Sequence, residues 1–151
     1  MATRPIHDDL LLASSAMVVN DRLERLLQPT LHRLAEMAVL PQGWDSYGAD
    51  PPSSAAIATA HGLVLRVIEQ LGAPAGDRVK PFAVAPFEGG VQVEWREAHA
   101  EVEIDVDADG ALSYLYVDKD LAERRFEEGE LDGWRAAIEL IAQVLVPPSL
   151  R

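Results

Sequence analysis

Apolar residues first recur along the chain at three- and four-residue steps. Leu23, Leu26, Leu27, Leu31, Leu34 and Met37 keep this spacing, while Arg22, Arg25, Arg33 and Glu36 fall mostly between them. Such spacing puts hydrocarbon on one side of a helix and leaves the other side to water. Leu10–Val19 is a candidate earlier start, although the β-branched Val18 and Val19 weaken it, and residues 1–9 read as a loose terminus. Pro29 interrupts the pattern and either kinks one helix or opens a second. The helical step resumes after Leu40–Ser53, with a stripe of Ile57, Ala60, Val64, Val67, Ile68 and Leu71. Pro51 and Pro52 suit the first turn of that helix, Asp50 or Ser53 its cap, and Gly72 with Pro74 its end.

Beyond a loop at Ala73–Lys80 the period changes to two. Val91, Val93 and Trp95 alternate with Gln92, Glu94 and Arg96. Val102, Ile104 and Val106 alternate with Glu101, Glu103 and Asp105, and Leu112, Tyr114 and Tyr116 continue the rhythm. This is the pattern of half-buried antiparallel strands. Phe82–Phe87 reads as a strand before them, joined through Glu88-Gly89-Gly90, with Pro86 favouring an edge. Tight loops at Glu97–Ala100 and Ala108–Gly110 set the register. They place Trp95 opposite Val102, Val93 opposite Ile104, Val91 opposite Val106, Val106 opposite Leu112, Ile104 opposite Tyr114 and Val102 opposite Tyr116. Both hairpins then agree on one apolar face, and Gly110 takes the left-handed position of its loop. Asp120–Glu128 reads as a short acidic helix broken at Gly129. Trp134, Ile138, Ile141 and Leu145 mark a final helix that ends before Pro147 and Pro148.

The order of elements predicts a single α+β domain over residues 1–151. N-terminal helices and a C-terminal helix pack on one face of a three- to four-stranded antiparallel β-meander. Apolar residues make up 48% of the chain, enough for a real core. No apolar run approaches the roughly 18 residues that span a bilayer, and the start lacks the layout of a signal peptide. There is no cysteine, so neither disulfides nor thiolate metal sites are available. These features lead us to expect a cytoplasmic protein without a membrane partner.

Charge alters the picture more. The formal net charge is −12, and Glu94–Asp132 alone holds 14 acidic and 4 basic residues. Phosphate backbones need a basic footprint, so direct nucleic-acid binding is not expected. A basic protein partner is compatible with this sign, and solubility alone is the plain alternative. The register puts Glu94 opposite Glu103 and Gln92 opposite Asp105, with Glu101, Leu115 and Val117 on the same side. Like charges facing each other across strands cost a few tenths to about 1 kcal/mol. A face that accepts this is a candidate surface for a cationic partner, so Glu94, Glu101, Glu103, Asp105, Leu115 and Val117 are the candidate partner-binding residues.

Other chemistry is sparse. Asp105-Val-Asp107-Ala-Asp109-Gly110 matches the start of a calcium loop, but the twelfth position is Tyr116 instead of glutamate and the flanks are strands. We therefore read Asp105, Asp107 and Asp109 as a turn, with no metal site and no cofactor. His7, His32, His61 and His99 are scattered, without metal-binding spacing, and neither a nucleophile elbow nor a phosphate loop occurs. No catalytic residue is assigned. In the connector Leu40–Ser53, Trp44, Asp45 and Tyr47 have two readings. Trp44 and Tyr47 plug the gap between helices and sheet while Asp45 caps backbone amides, or the two rings form an exposed contact loop. We favour the plug, because aromatic residues are usually well buried.

Gly43-Trp44-Asp45-x-Tyr47-Gly48-Ala49-x-Pro51-Pro52, with Glu88-Gly89-Gly90-x-Gln92-x-Glu94-Trp95, resembles a family of small uncharacterised bacterial proteins. The resemblance covers about residues 40–116. It implies a bacterial origin and a shared fold, and it carries no activity or functional residue to this chain.

The leading functional expectation is a non-enzymatic acidic interaction module that binds a basic protein, as an antitoxin, an immunity protein or a complex subunit does. A carboxylate- or metal-dependent hydrolase using Glu94, Glu103 and Asp105 is the alternative, and an acidic nucleic-acid mimic is a further one. Oligomeric state is left open.

Overall fold

The computed structural model describes residues 6–81, 83–120, 122–146 and 149, with backbone alone for residues 6–20, 83, 85 and 87. Helix α1, Ile6–Met37, continues through Pro29. Its buried residues Leu23, Leu27, Thr30, Leu34 and Met37 follow steps of four and three, which keeps one seam against the core. Leu26 and Leu31 flank that seam. The N-terminal stretch expected to be loose lies outside the described residues up to residue 5, and from Ile6 its backbone is helical.

Helix α2, Ser54–Ala75, differs from expectation at both ends. Pro51 and Pro52 precede the cap instead of occupying the first turn. Ser53 is the N-cap, in extended conformation, and its Oγ accepts the Ala56 N–H at 3.0 Å. A proline holds its predecessor extended, so the pair delivers the chain straight to the cap. At the other end the helix runs past Gly72 and Pro74 and stops at Gly76, whose φ is +58°. Pro74 lies in the last turn, where its missing N–H removes only one helical bond. Gly72 is needed for another reason: a Cβ there would lie 2.7 Å from Leu23 Cδ1, so its smallness permits α1 to approach α2. A 3-10 turn, Gly76–Val79, leads towards the sheet.

The sheet has five strands in the order β1-β2-β3-β4-β5, every neighbour antiparallel. The strands are β1 Ala83–Phe87, β2 Gly90–Arg96, β3 Ala100–Val106, β4 Leu112–Asp118 and β5 Arg125–Leu131. All six apolar pairings expected from the sequence are present. β1 is an edge strand, and Phe82 lies outside the described residues. Glu88 and Gly89 both have positive φ, +33° and +83°, as a two-residue hairpin turn of matching twist requires.

β5 replaces the short acidic helix read at Asp120–Glu128. Gly129 is a strand glycine here, paired with Tyr114. The Tyr114 ring lies across it, 3.1 Å from where a Cβ would be, and the Tyr114 hydroxyl donates to Glu127 Oε1 at 2.8 Å. A glycine covered by a cross-strand aromatic is at home in a strand.

Helix α3, Trp134–Leu145, completes the helical layer. Its buried side is Ala137, Ile138, Ile141, Val144 and Leu145. The half-buried Trp134 ring lies 3.5 Å from where a Cβ on Gly62 of α2 would be, and carries the Arg66 guanidinium 4.8 Å from its centre. One apolar cluster joins all three helices to a single side of the sheet, including Val91, Val93, Trp95, Val102, Ile104 and Val106. Gln92, Glu94, Glu101, Glu103, Asp105, Leu115 and Val117 lie outside that cluster. The fold is therefore α+β with helices on one face.

Trp95 is fully buried and donates its indole N–H to the Val79 carbonyl at 2.8 Å. Trp95→Phe removes that donor and part of the packed volume together. It is expected to cost about 2–4 kcal/mol in urea denaturation followed by far-UV circular dichroism. A loss below about 0.5 kcal/mol, the size of an ordinary surface change, would contradict this role.

Candidate partner-binding face

The register that sends Val93 and Trp95 into the core sends their neighbours to the opposite face. Directly paired residues share a side of the sheet, so this face forms three rows across β2 to β5. Gln92, Asp105, Ser113 and Glu130 make the first. Glu94, Glu103, Leu115 and Glu128 make the second. Arg96, Glu101, Val117 and Phe126 make the third. The rows hold six carboxylates and one guanidinium.

The six residues read from the sequence do come together here, but their carboxylates are already engaged. Glu94, only 8% exposed, has Oε2 at 2.6 Å from Arg96 Nη2, close enough to pair though poorly angled for a hydrogen bond. Glu101 Oε2 lies 2.7 Å from Lys119 Nζ. That hydrogen bond holds the Glu101 carboxyl below its ordinary value. Gln92 donates through Nε2 to Glu103 Oε1 at 2.5 Å and to Asp105 Oδ1 at 3.0 Å. Burial first, and then the charges of Glu94 and Asp105, push the Glu103 carboxyl up. Leu115 is half-buried and Val117 is 2% exposed. β2 and β3 thus form a floor whose carboxylates are bonded internally, two of them to cations and two to the Gln92 amide.

The open charge lies on β5, where sequence reasoning placed no strand. Glu128 and Glu130 are exposed, and neither carboxylate carries a hydrogen bond or ion pair among the described residues. Phe126 stands beside Val117 and is 64% exposed. The available signal was the two-residue step Phe126, Glu128, Glu130. It is weak, because the strand turns its aromatic residue to water and sets a glycine on the helix side.

The connector contradicts the plug for Tyr47, which is 94% exposed. The loop closes on itself. Gly43 N–H donates to the Ala49 carbonyl at 2.9 Å, and Asp45 Oδ1 accepts the Tyr47 and Ala49 amides at 2.9 and 3.0 Å. Those amides hold the Asp45 carboxyl below its ordinary value. Trp44 is half-buried and donates to the Asp50 carbonyl at 3.3 Å, outside the apolar cluster. Trp95 and Leu63 fill the space between helices and sheet instead.

Asp107 and Asp109 serve their own turn. Asp107 Oδ1 accepts the amides of Asp109 and Ala111 at 3.1 and 2.9 Å, and Asp109 Oδ1 accepts that of Ala111 at 3.1 Å. Asp105 points to the outer face and is held by Gln92. Among the described residues no group of three or more histidines and carboxylates is placed to hold a metal ion. The pit between Glu94, Glu103 and Leu115 has a volume of about 10 Å³, the room of about one water. Hollows of about 380 Å³ lie elsewhere, one at Arg78, Lys80 and Glu97 and one at Ala38, Ile57 and His61. No helix among the described residues is long and apolar enough to cross a membrane.

Because the Glu103 carboxyl titrates above the ordinary 4.5, the fold prefers its protonated form. Its contribution to stability is full below that unfolded value and is lost as pH rises through the raised one. Glu103→Gln keeps an acceptor for Gln92 and removes the charge. It is expected to raise the melting temperature by about 1–4 °C at pH 7. The gain should vanish below pH 4. A variant less stable than the parent at pH 7 would contradict this.

No protein-family model, curated protein or solved structure matches the chain.

Proposed function

We propose that the protein is a non-enzymatic interaction module whose bare sheet face binds a basic protein partner, in the manner of an antitoxin, an immunity protein or a complex subunit. The observation that carries this reading is the outer face itself. Among the described residues no helix packs on it, it holds six carboxylates against one guanidinium, and it exposes Phe126 beside Glu128. An aromatic anchor next to free charge can stack on an arginine or lysine while the carboxylates fix its position. Opposite charge also speeds encounter. The floor of β2 and β3 supports this surface, and its internal pairs leave β5 as the contact region. We place this activity in the cytoplasm, in keeping with the absence of cysteine.

Charge reversal separates a specific face from general acidity. Glu128→Lys/Glu130→Lys alters the outer face, and Glu24→Lys/Glu69→Lys makes the same change in charge on exposed helix positions. The wild type, immobilised and exposed to native host extract at low salt, is expected to retain a basic protein that high salt releases. The β5 variant should bind that protein about tenfold more weakly or worse, and the helix variant should bind it normally. Equal loss in both variants, or in neither, would overturn the reading.

A further inference from the structure

Among the described residues, β5 is bare on three sides over Arg125–Glu128. One edge pairs with β4 along its whole length, and the other edge carries no strand, because β5 ends the sheet order. Arg125, Phe126, Glu127 and Glu128 are all exposed, so neither broad side is covered there. Alternate residues of an antiparallel strand aim their N–H and C=O groups at opposite edges. About half of the backbone groups of β5 therefore face outward, an open template for another strand.

The opposite edge of the sheet is a poorer template. β1 contains Pro86, which donates no hydrogen bond, and α1 packs against that strand. Charge then selects the occupant of β5. Glu127, Glu128, Glu130 and the adjoining Asp132 crowd the strand, with Arg125 at its start. A second copy would bring the same carboxylates against themselves. A segment rich in lysine or arginine meets them with opposite charge.

We propose that β5 receives an extended, basic segment of the partner protein as a sixth strand. This rests on the interaction reading above and specifies its mode. The added strand sets lysine or arginine beside Glu128 and Glu130 on the outer face, and an aliphatic or guanidinium group against Phe126. Glu127 offers a further carboxylate on the helix side, and Leu131 an apolar neighbour. Main-chain hydrogen bonds supply the affinity of such docking, and alternate side chains supply its selectivity.

The probe is a seven-residue capped peptide alternating lysine and valine, titrated into the full isotope-labelled chain and followed by NMR. A second peptide of the same sequence carries N-methyl groups on every residue, which keeps its charge and blocks strand pairing along both edges. The first peptide is expected to shift the amides of residues 125–131 and to slow their exchange with solvent. The second should bind about tenfold more weakly or worse, the equivalent of about one lost hydrogen bond. Equal binding of both would overturn strand addition and leave the acidic-surface reading standing. Binding centred on residues 83–87, or no binding by either peptide, would also overturn it. Equal loss of host-partner capture in both charge-reversal variants, or loss in neither, instead strikes the underlying reading, so the two failures are distinguishable.

Discussion

The buried indole of Trp95 ties the helical layer to the sheet. Its N–H bonds to the Val79 carbonyl at 2.8 Å, at the end of the turn that follows α2. The bond fixes where the chain leaves the helices and enters β1. The ring also fills space beneath all three helices, in one cluster with Leu27, Leu63 and Ile141. A strand residue that points into the core forces its neighbours to the other side. Burying Trp95 therefore places Glu94 and Arg96 on the outer face. The core and the candidate binding surface are two sides of one register.

A second set of bonds sets the far end of the sheet. Ser53 donates its amide to the Gly89 carbonyl at 2.9 Å and its hydroxyl to the Ala108 carbonyl at 2.5 Å, while its Oγ also caps α2. One residue thus joins the helix start to two hairpin turns. Gly110 lies close to Thr59 of α2, where a Cβ would be 3.0 Å from Oγ1. Between Val79 and Ser53, both ends of α2 are anchored to the sheet. β5 has no comparable tie: β4 holds it along one edge and α3 reaches its end. The strand that carries Glu127, Glu128 and Glu130 is also the one least covered.

Much of this was legible in the alternation of Val91, Val93 and Trp95 with Gln92, Glu94 and Arg96. Half-buried strands must segregate their side chains, so the loop lengths fixed every pairing from β2 to β4. The seam of α1 and the stripe of α2 were legible for the same reason. β5 was not, because a strand exposed on both sides needs no apolar alternation, and Gly129 reads as a helix break until Tyr114 is seen lying over it. The exposure of Tyr47 was not legible, because burial of its ring depends on a competitor. Trp95 occupies the interior, and the connector satisfies its own amides through Asp45 and Gly43. The candidate face was thus found from the sequence, but its free carboxylates, Glu128 and Glu130, were not.

The most direct measurement is zero-length coupling of carboxylates to partner lysines in native host extract, with the linked residues mapped by mass spectrometry. Such coupling joins only groups already in contact. The account predicts that links from this chain concentrate at Glu128 and Glu130, with Glu127 next, and that Glu94, buried against Arg96, yields none. Links confined to the helical side, at Glu24 or Glu69, with β5 unmodified, would contradict it.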